Sequence, residues 1–169
     1  EYAVLFDLDQ ETPDKRRVQF DERSSWFYEA IGMSAGMQGR IVGFGQVYLE
    51  ASKDNGGRWL DGGRTYRMRV PAAAPVKQFW SITLYDNLSR GPLITDQGAA
   101  DLSSRKPDLV TNADGSVDVT FGPVRPAAAA NWIKTTPGKG WFAYFRFYGP
   151  TEAYFSKAWQ LNDIEALKP

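Results

Sequence analysis

Two stretches of alternating side chains constrain this chain more than any other feature of its sequence. In residues 79–86, and again in residues 141–148, apolar side chains occupy every second position. Side chains of a β-strand point alternately to opposite faces, so this period of two predicts two strands that each bury one face. The apolar sides consist of Trp80, Ile82 and Leu84 in the first stretch and of Trp141, Ala143, Phe145 and Phe147 in the second.

Shorter extended segments, separated by turn residues, continue this pattern along the chain. Gly, Pro, Asn and Asp cluster between them, as at residues 54–57, 112–115 and 137–140, and these residue types favour tight turns. Helical spacing is found only at residues 21–31 and in the tail around residues 154–159. The sequence therefore predicts a mainly β fold, a double-sheet β-sandwich that is jelly-roll-like, with a short N-terminal helix and a short C-terminal helix.

The domain organisation follows from the same patterns. Residues 1–20 are poorly patterned and are predicted to form an N-terminal lead or linker, whereas residues 21–169 form a single β-sandwich domain. Within that domain, residues 109–121 predict a β-hairpin whose turn contains Asp114 and Gly115, because Gly tolerates the positive φ of a tight turn. Residues 87–107 are polar and predict an irregular loop over the surface.

The composition excludes several classes of function. The chain has no Cys and no His, which excludes zinc sites of the Cys/His type and nucleophilic catalysis through Ser-His-Asp or Cys-His groups. Its 20 basic and 20 acidic residues are interspersed, so no basic patch marks nucleic acid as a partner. No apolar run is long enough for a membrane span. The sequence indicates no cofactor and no metal.

An ordered series of short motifs runs through the middle and the end of the chain. It consists of Trp59-Leu60-Asp61-Gly62, residues 66–71, residues 79–86, Asn112-Ala113-Asp114-Gly115-Ser116, Phe121-Gly122-Pro123, Asn131-Trp132-Ile133, Gly138-Lys139-Gly140-Trp141-Phe142 and Arg146-Phe147-Tyr148-Gly149-Pro150. This series resembles the bacterial family catalogued as domain of unknown function 1214, over the chain from about residue 21 to its end. The resemblance implies an all-β double-sheet domain that is often exported, to the periplasm or beyond, and often follows a partner catalogued as domain of unknown function 1254. It brings no established reaction and no catalytic residues.

The polar side of the two alternating stretches is the first candidate site. Tyrosine and phenylalanine rings offer flat stacking surfaces, and Arg146 offers a rigid fork of donors, which together suit sugars, aromatic acids or carboxylates. The predicted ligand-binding residues are Tyr85, Phe142, Tyr144, Arg146 and Tyr148, with Ser81 and Thr83 beside them. The alternative is that a helix bearing Trp26, Phe27 and Ile31 covers this side and that Arg146 lies in an internal ion pair.

Carboxylates are the second candidate site, because they are the acids and bases that a chain without His or Cys retains. Asp86 is the candidate catalytic residue since it ends a predicted strand, whereas Asp61 and Asp114 lie beside Gly, where Asp is common in turns. Asp118 is a further carboxylate to consider. A calcium site built from Asp54, Asn55 and Asp61 lacks the usual ligand spacing. Asn131 and Trp132 would either line a pocket or form a turn followed by a core ring.

These observations lead to three hypotheses of different kinds. The first is an uncharacterised β-sandwich module of a bacterial envelope or exported protein, which binds a small polar-aromatic or carbohydrate-like ligand or docks an upstream partner domain. The second is a carboxylate-dependent hydrolase or lyase without His or Cys, in which one carboxyl group has a raised pKa. The third is a homo-oligomer formed through a sheet edge or the aromatic tail.

Overall fold

The structure is a computed structural model that describes residues 41–167, and these lie within one compact unit. The described residues form ten strands and one short helix. The strands are β1 (Gln46–Ala51), β2 (Tyr66–Val70), β3 (Val76–Asp86), β4 (Ile94–Thr95), β5 (Gly98–Ala99), β6 (Asp101–Ser103), β7 (Val117–Gly122), β8 (Asn131–Lys134), β9 (Trp141–Pro150) and β10 (Glu165–Ala166), with helix α1 (Glu152–Phe155) between β9 and β10.

The larger strands form two four-stranded sheets. Sheet A has the order β1-β9-β3-β6 and is antiparallel throughout. Sheet B has the order β10-β2-β7-β8, and its last pair, β7 with β8, is parallel. The predicted mainly β class with two sheets is therefore confirmed for the described residues. The jelly-roll connectivity stays a prediction.

The core lies between the two sheets. The strands β3 and β9 contain the two alternating stretches and pair with each other, with Tyr85 opposite Phe142 and Phe79 opposite Tyr148. Their apolar sides are buried as predicted: Trp80, Ile82, Leu84, Trp141, Ala143, Phe145 and Phe147 are each no more than 5% exposed. Sheet B packs on them, since the Trp141 ring lies 5.7 Å from the Tyr66 ring and 5.2 Å from the Phe121 ring. Each large side chain buried in this way contributes about 1.5–3 kcal/mol.

The predicted hairpin at residues 109–121 is wrong in its first strand. The turn forms, with the Gly115 N–H donating to the Asn112 carbonyl and Gly115 at a φ of 81°. However, β7 pairs with β2 and β8, and Val110 lies outside any strand. The turn depends on local residue types, whereas the choice of strand partner depends on packing in the core. The predicted turn is therefore confirmed, and the predicted strand pairing is wrong.

The predicted irregular loop at residues 87–107 contains three short strands. The strand β6 extends sheet A next to β3, with Ser103 opposite Ser81, and its Leu102 is only 2% exposed. The strands β4 and β5 form a small separate ribbon. Segments of two or three residues are too short to show a period of two, which is why the sequence pattern missed them.

The predictions for the two ends have different outcomes. The lead at residues 1–20, the helix at residues 21–31 and the domain boundary between them lie outside the described residues. The C-terminal helix is confirmed but is shorter than predicted, because α1 ends at Phe155. Trp159 follows it and packs on the core, 5.7 Å from the Phe147 ring, while its indole N–H donates to the Ala72 carbonyl. In the described part of the chain, no helix has the length and apolar character needed to span a membrane.

The core between the sheets predicts a strong contrast between two tryptophans. Trp141→Ala is expected to lower the free energy of unfolding by about 3–5 kcal/mol, because it removes a large ring at the contact between the sheets. Trp59→Ala is the matched control, since Trp59 is 64% exposed and its loss should cost less than about 1 kcal/mol. Urea unfolding curves of the two variants measure the difference. Equal losses would contradict the proposed contact between the sheets.

Candidate functional site

The outer side of sheet A combines tyrosines, one central arginine and hydroxyl groups. Residues that lie opposite each other in neighbouring strands share a face, and the register places Arg146 in β9 between Tyr48 in β1 and Ser81 in β3. Tyr144 lies between Glu50 and Thr83 in the same way. We call this surface the tyrosine–arginine face, and it consists of Tyr48, Glu50, Phe79, Ser81, Thr83, Tyr85, Phe142, Tyr144, Arg146 and Tyr148.

Arg146 is the half-buried centre of the tyrosine–arginine face. Its Nη1 donates to the Thr83 hydroxyl oxygen at 2.9 Å, and its Nη2 donates to the Tyr85 hydroxyl oxygen. The guanidinium carbon lies 5.5 Å from the Tyr48 and Tyr144 rings and 5.6 Å from the Tyr85 ring, which are cation–π distances. Among residues 41–167 no carboxylate lies within salt-bridge distance of it. Hydroxyl groups and rings therefore hold this cation in the described part of the chain, and the helix of the alternative prediction lies outside that part.

The aromatic rings around Arg146 support one another. The Tyr85 ring stacks on the Phe142 ring at 5.3 Å, and the Tyr144 ring meets both edge-on at 5.4 Å. The Tyr48 ring lies 6.0 Å from the Tyr144 ring. Phe142 is only 3% exposed, so this predicted ligand-binding residue forms the floor beneath Tyr85 and does not present a free ring. The half-buried rings of Tyr85 and Tyr144 and the exposed ring of Tyr48 are the ones that a ligand can reach.

Tyr148 belongs to a second aromatic group at the far end of the same face. Its ring stacks on the Phe79 ring at 4.0 Å, and the Arg105 guanidinium lies 4.1 Å above the Phe79 ring. The sequence pattern did not identify Tyr48, Phe79 and Arg105 as parts of the site. The alternation of Tyr48 with its neighbours was visible in the sequence, but only the pairing of β1 with β9 brings it next to Arg146.

The pKa of the Tyr144 phenol is raised above its ordinary value. Burial is the main cause, followed by the negative charge of Glu50, while Arg146 acts in the opposite direction. Tyr144 is therefore a neutral hydroxyl at pH 7 and can donate a hydrogen bond. The face thus combines neutral donors with a permanent cation.

Asp86, the candidate catalytic residue, has a structural role at the end of β3. Its Oδ1 accepts hydrogen bonds from the backbone N–H groups of Leu88 and Ser89 at 2.8 and 2.9 Å, and its Oδ2 lies 3.0 Å from the Lys139 ammonium. The Ser89 N–H is the main cause of a lowered pKa of about 2, followed by Lys139 and the Leu88 N–H. A general acid needs a raised pKa, and Asp86 has the opposite.

The other carboxylates considered in the sequence are also occupied by local partners. Asp61 and Asp114 accept backbone N–H groups in turns, from Gly63 and Ser116 respectively. Asp118 forms two hydrogen bonds of 2.8 Å with Arg69. The pKa values of Asp114 and Asp118 are lowered, by the Ser116 hydroxyl and by Arg69 respectively. Each of these carboxylates is therefore engaged by a neighbouring donor, as is common for Asp in turns and ion pairs.

The remaining candidates are explained by packing and turns. Asp54 accepts the N–H groups of Gly56 and Arg58 and contacts the Arg58 guanidinium, and within residues 41–167 no group of three Asp, Glu, His or Cys could hold a metal ion. Asn131 is 5% exposed and bridges the Val110 backbone to the Asp118 carbonyl. Trp132 is half-buried and donates its indole N–H to the Gly122 carbonyl. Asn131 and Trp132 therefore join β8 to its surroundings.

The cavities in the described residues are weaker candidates than the tyrosine–arginine face. One of about 280 Å³ lies against sheet B, and its charged lining groups are already paired, Arg67 with Glu165 and Asp118 with Arg69. Another of about 190 Å³ opens beside β1 and is lined mainly by apolar side chains such as Met68 and Phe145. Arg146, by contrast, has donors that no described residue uses.

Comparisons with known proteins give a family and a fold. The model of a family described as "Protein of unknown function (DUF1214)" matches residues 45–152. A crystal structure of the VPA0106 protein from Vibrio parahaemolyticus is similar with a TM-score of 0.66 and 26% identity, over 88% of this chain and 35% of that chain. A putative uncharacterized protein from Burkholderia cenocepacia is similar in fold, with a TM-score of 0.52 and 20% identity over 73% of this chain and 30% of that chain. No curated protein matches this chain. The chain spans about a third of the length of these solved structures.

The structural role of Asp86 predicts a defined pH dependence of stability. Its pKa in the folded protein is about 2, below the ordinary value of 3.8, so its ionised form stabilises the fold above about pH 4 and this contribution is lost as the pH falls through 2. Asp86→Asn should therefore lower the thermal unfolding midpoint at pH 7, and its difference from the parent should shrink between pH 4 and pH 2. Thermal unfolding at several pH values measures this, with Asp163→Asn at an exposed position as the control. A difference that is independent of pH would contradict the assigned role.

Proposed function

Because this chain belongs to the DUF1214 family of proteins of unknown function, we propose a function from its site alone: it is a binding module whose tyrosine–arginine face takes up a small polar-aromatic or carbohydrate-like ligand. A jelly-roll-like sandwich is a scaffold that many binding proteins share, and the fold itself specifies no ligand. The residues that we assign to binding are Tyr85, Tyr144, Arg146 and Tyr148 from the sequence prediction, with Phe142 as their floor. Tyr48 is added from the structure.

The observation that carries the proposal is the environment of Arg146. A guanidinium has five N–H donors, and described residues use only those that bond to Thr83 and Tyr85. A ligand carboxylate or a pair of hydroxyl groups would satisfy the others, and the half-buried position strengthens such bonds compared with water. The rings of Tyr48, Tyr85 and Tyr144 surround the same position and offer flat surfaces for a sugar or an aromatic ring.

Docking of a partner domain is the second candidate function. It is favoured by the short span of this chain, which covers only 35% and 30% of the two solved structures that resemble it. An aromatic face that holds an arginine is also typical of contacts between proteins. From the family resemblance alone, we propose that the module belongs to a bacterial envelope or exported protein.

Homo-oligomerisation is a further proposal. It is supported by the exposed side chains of Phe44, Tyr48 and Leu49 near β1, and light scattering of the purified chain would test it.

The carboxylate-dependent hydrolase or lyase has less support. It requires a carboxyl group with a raised pKa beside a second carboxylate or an arginine. Among the described carboxylates, every pKa that departs from its ordinary value is lowered, because backbone N–H groups, hydroxyl groups and basic side chains contact these carboxylates. The tyrosine–arginine face is therefore the better basis for an experiment.

Replacement of Arg146 tests the proposed function. Isothermal titration of the chain with 4-hydroxybenzoate, glucuronate and glucose is expected to show binding of at least one of the two acids. Arg146→Gln should weaken that binding about tenfold or more, because a hydrogen bond to a charged group contributes roughly 1.5–3 kcal/mol. Arg67→Gln is the matched control, since Arg67 is an exposed arginine on sheet B.

Two further results decide between the candidates. Thermal unfolding must show that both variants keep their fold. If the Arg146→Gln variant binds the acids as tightly as the parent, the tyrosine–arginine face is not the binding site. If no probe binds but Arg146→Gln abolishes association with a separately produced partner domain, the docking function replaces ligand binding.

A further inference from the structure

Two more arginines lie over the same aromatic surface as Arg146, one at each end. The Arg90 guanidinium lies 5.3 Å from the Phe142 ring, and the Arg105 guanidinium lies 4.1 Å from the Phe79 ring. Phe142 and Phe79 pair with Tyr85 and Tyr148 at opposite ends of the β3–β9 contact. Arg90, Arg146 and Arg105 therefore lie beside aromatic rings at successive positions of the β3–β9 contact, and we call them the line of arginines.

The line of arginines is long enough to contact a ligand that consists of several linked rings. Six residue steps separate Phe142 from Tyr148 in β9, which corresponds to roughly 20 Å at the rise of an extended strand. Arg146 lies between these two residues and so divides the line. A single small ring can contact Arg146 and its tyrosines, but it cannot contact Arg90 and Arg105 at the same time.

The end arginines are oriented by local structure and have no acidic partner in the described part of the chain. Both are exposed, and among residues 41–167 neither lies within salt-bridge distance of a carboxylate. Arg90 has a φ of 60°, and its N–H donates to the Asp86 carbonyl. The turn that Asp86 stabilises thus includes the backbone of Arg90, whose guanidinium lies over the Phe142 ring.

Acidic groups lie at the lateral edges of the same face. Glu50 in the edge strand β1 and Asp101 in the edge strand β6 are both exposed. These carboxylates can accept hydrogen bonds from the hydroxyl groups of a ligand that lies along the line of arginines, and the half-buried Thr83 hydroxyl can donate one. Cations along the axis and hydroxyl-binding groups at the sides are complementary to a chain of sugar rings with carboxylate groups.

We infer that the ligand of the tyrosine–arginine face is an extended acidic oligosaccharide, whose carboxylates pair with Arg90, Arg146 and Arg105 and whose rings stack on the intervening tyrosines. This inference rests on the proposed function and names its ligand class. A single-stranded nucleic acid would also stack on aromatic rings, but it carries a phosphate on every nucleotide and needs a continuous basic groove. Three arginines with two carboxylates at their sides match a ligand whose negative charges are more widely spaced.

Oligomers of galacturonate test this inference by isothermal titration. The tetramer is expected to bind at least about tenfold more tightly than the monomer, since linked groups engage several sites at once. It should also bind at least about tenfold more tightly than neutral maltotetraose, and its affinity should fall as the salt concentration rises. Arg90→Gln and Arg105→Gln should each weaken tetramer binding by about two- to fivefold, the size of an exposed ion pair.

The variants separate this inference from the proposed function on which it rests. Arg146→Gln should weaken the binding of both monomer and tetramer, and Arg67→Gln on sheet B should change neither. Equal affinities for monomer and tetramer, or no effect of Arg90→Gln and Arg105→Gln, would overturn the extended ligand and leave the proposed function intact. Tighter binding of an oligothymidylate than of the tetramer would replace the saccharide with nucleic acid. A lack of any binding that depends on Arg146 would overturn both proposals.

Discussion

The antiparallel contact between β3 and β9 is the interaction on which the rest of the structure depends. Its register, with Trp80 opposite Phe147 and Thr83 opposite Tyr144, assigns each side chain of residues 79–86 and 141–148 to one of two faces. A shift of one residue would exchange the two faces and expose the apolar rings. The free energy of burying those rings therefore fixes the position of Arg146 on the opposite face, although Arg146 contributes nothing to the core.

The tyrosine–arginine face keeps a cation half-buried without neutralising it by a described carboxylate. Hydroxyl oxygens of Thr83 and Tyr85 and three tyrosine rings replace water around the guanidinium. Such partners solvate the charge but do not cancel it, so its field still acts on a ligand. Asp86 has the contrary arrangement, because the Lys139 ammonium and two backbone N–H groups pair with its charge. This difference explains why the site centres on Arg146 and not on Asp86.

Sequence patterns predicted long elements well and contacts between distant elements poorly. The strands β3 and β9, the turn at Gly115 and the inward side chains of both strands agree with the structure. The partner of β7 and the short strand β6 were missed, because a strand chooses its neighbours through core packing and not through local residue types. In the candidate site, four of the five predicted binding residues are partly accessible, whereas Phe142 is buried beneath Tyr85 and Arg90.

The sequence by itself determined that this chain is mainly β, that two strands have an apolar and a polar-aromatic side, and that catalysis through His or Cys is excluded. These conclusions depend only on residue types and on a period of two, which neighbouring residues define. Only the tertiary structure decided that Tyr48, Arg90 and Arg105 join Arg146 on one surface and that the aspartates serve turns and ion pairs. Those residues are far apart in the chain, and the packing of β1, β3, β6 and β9 into one sheet is what brings them together.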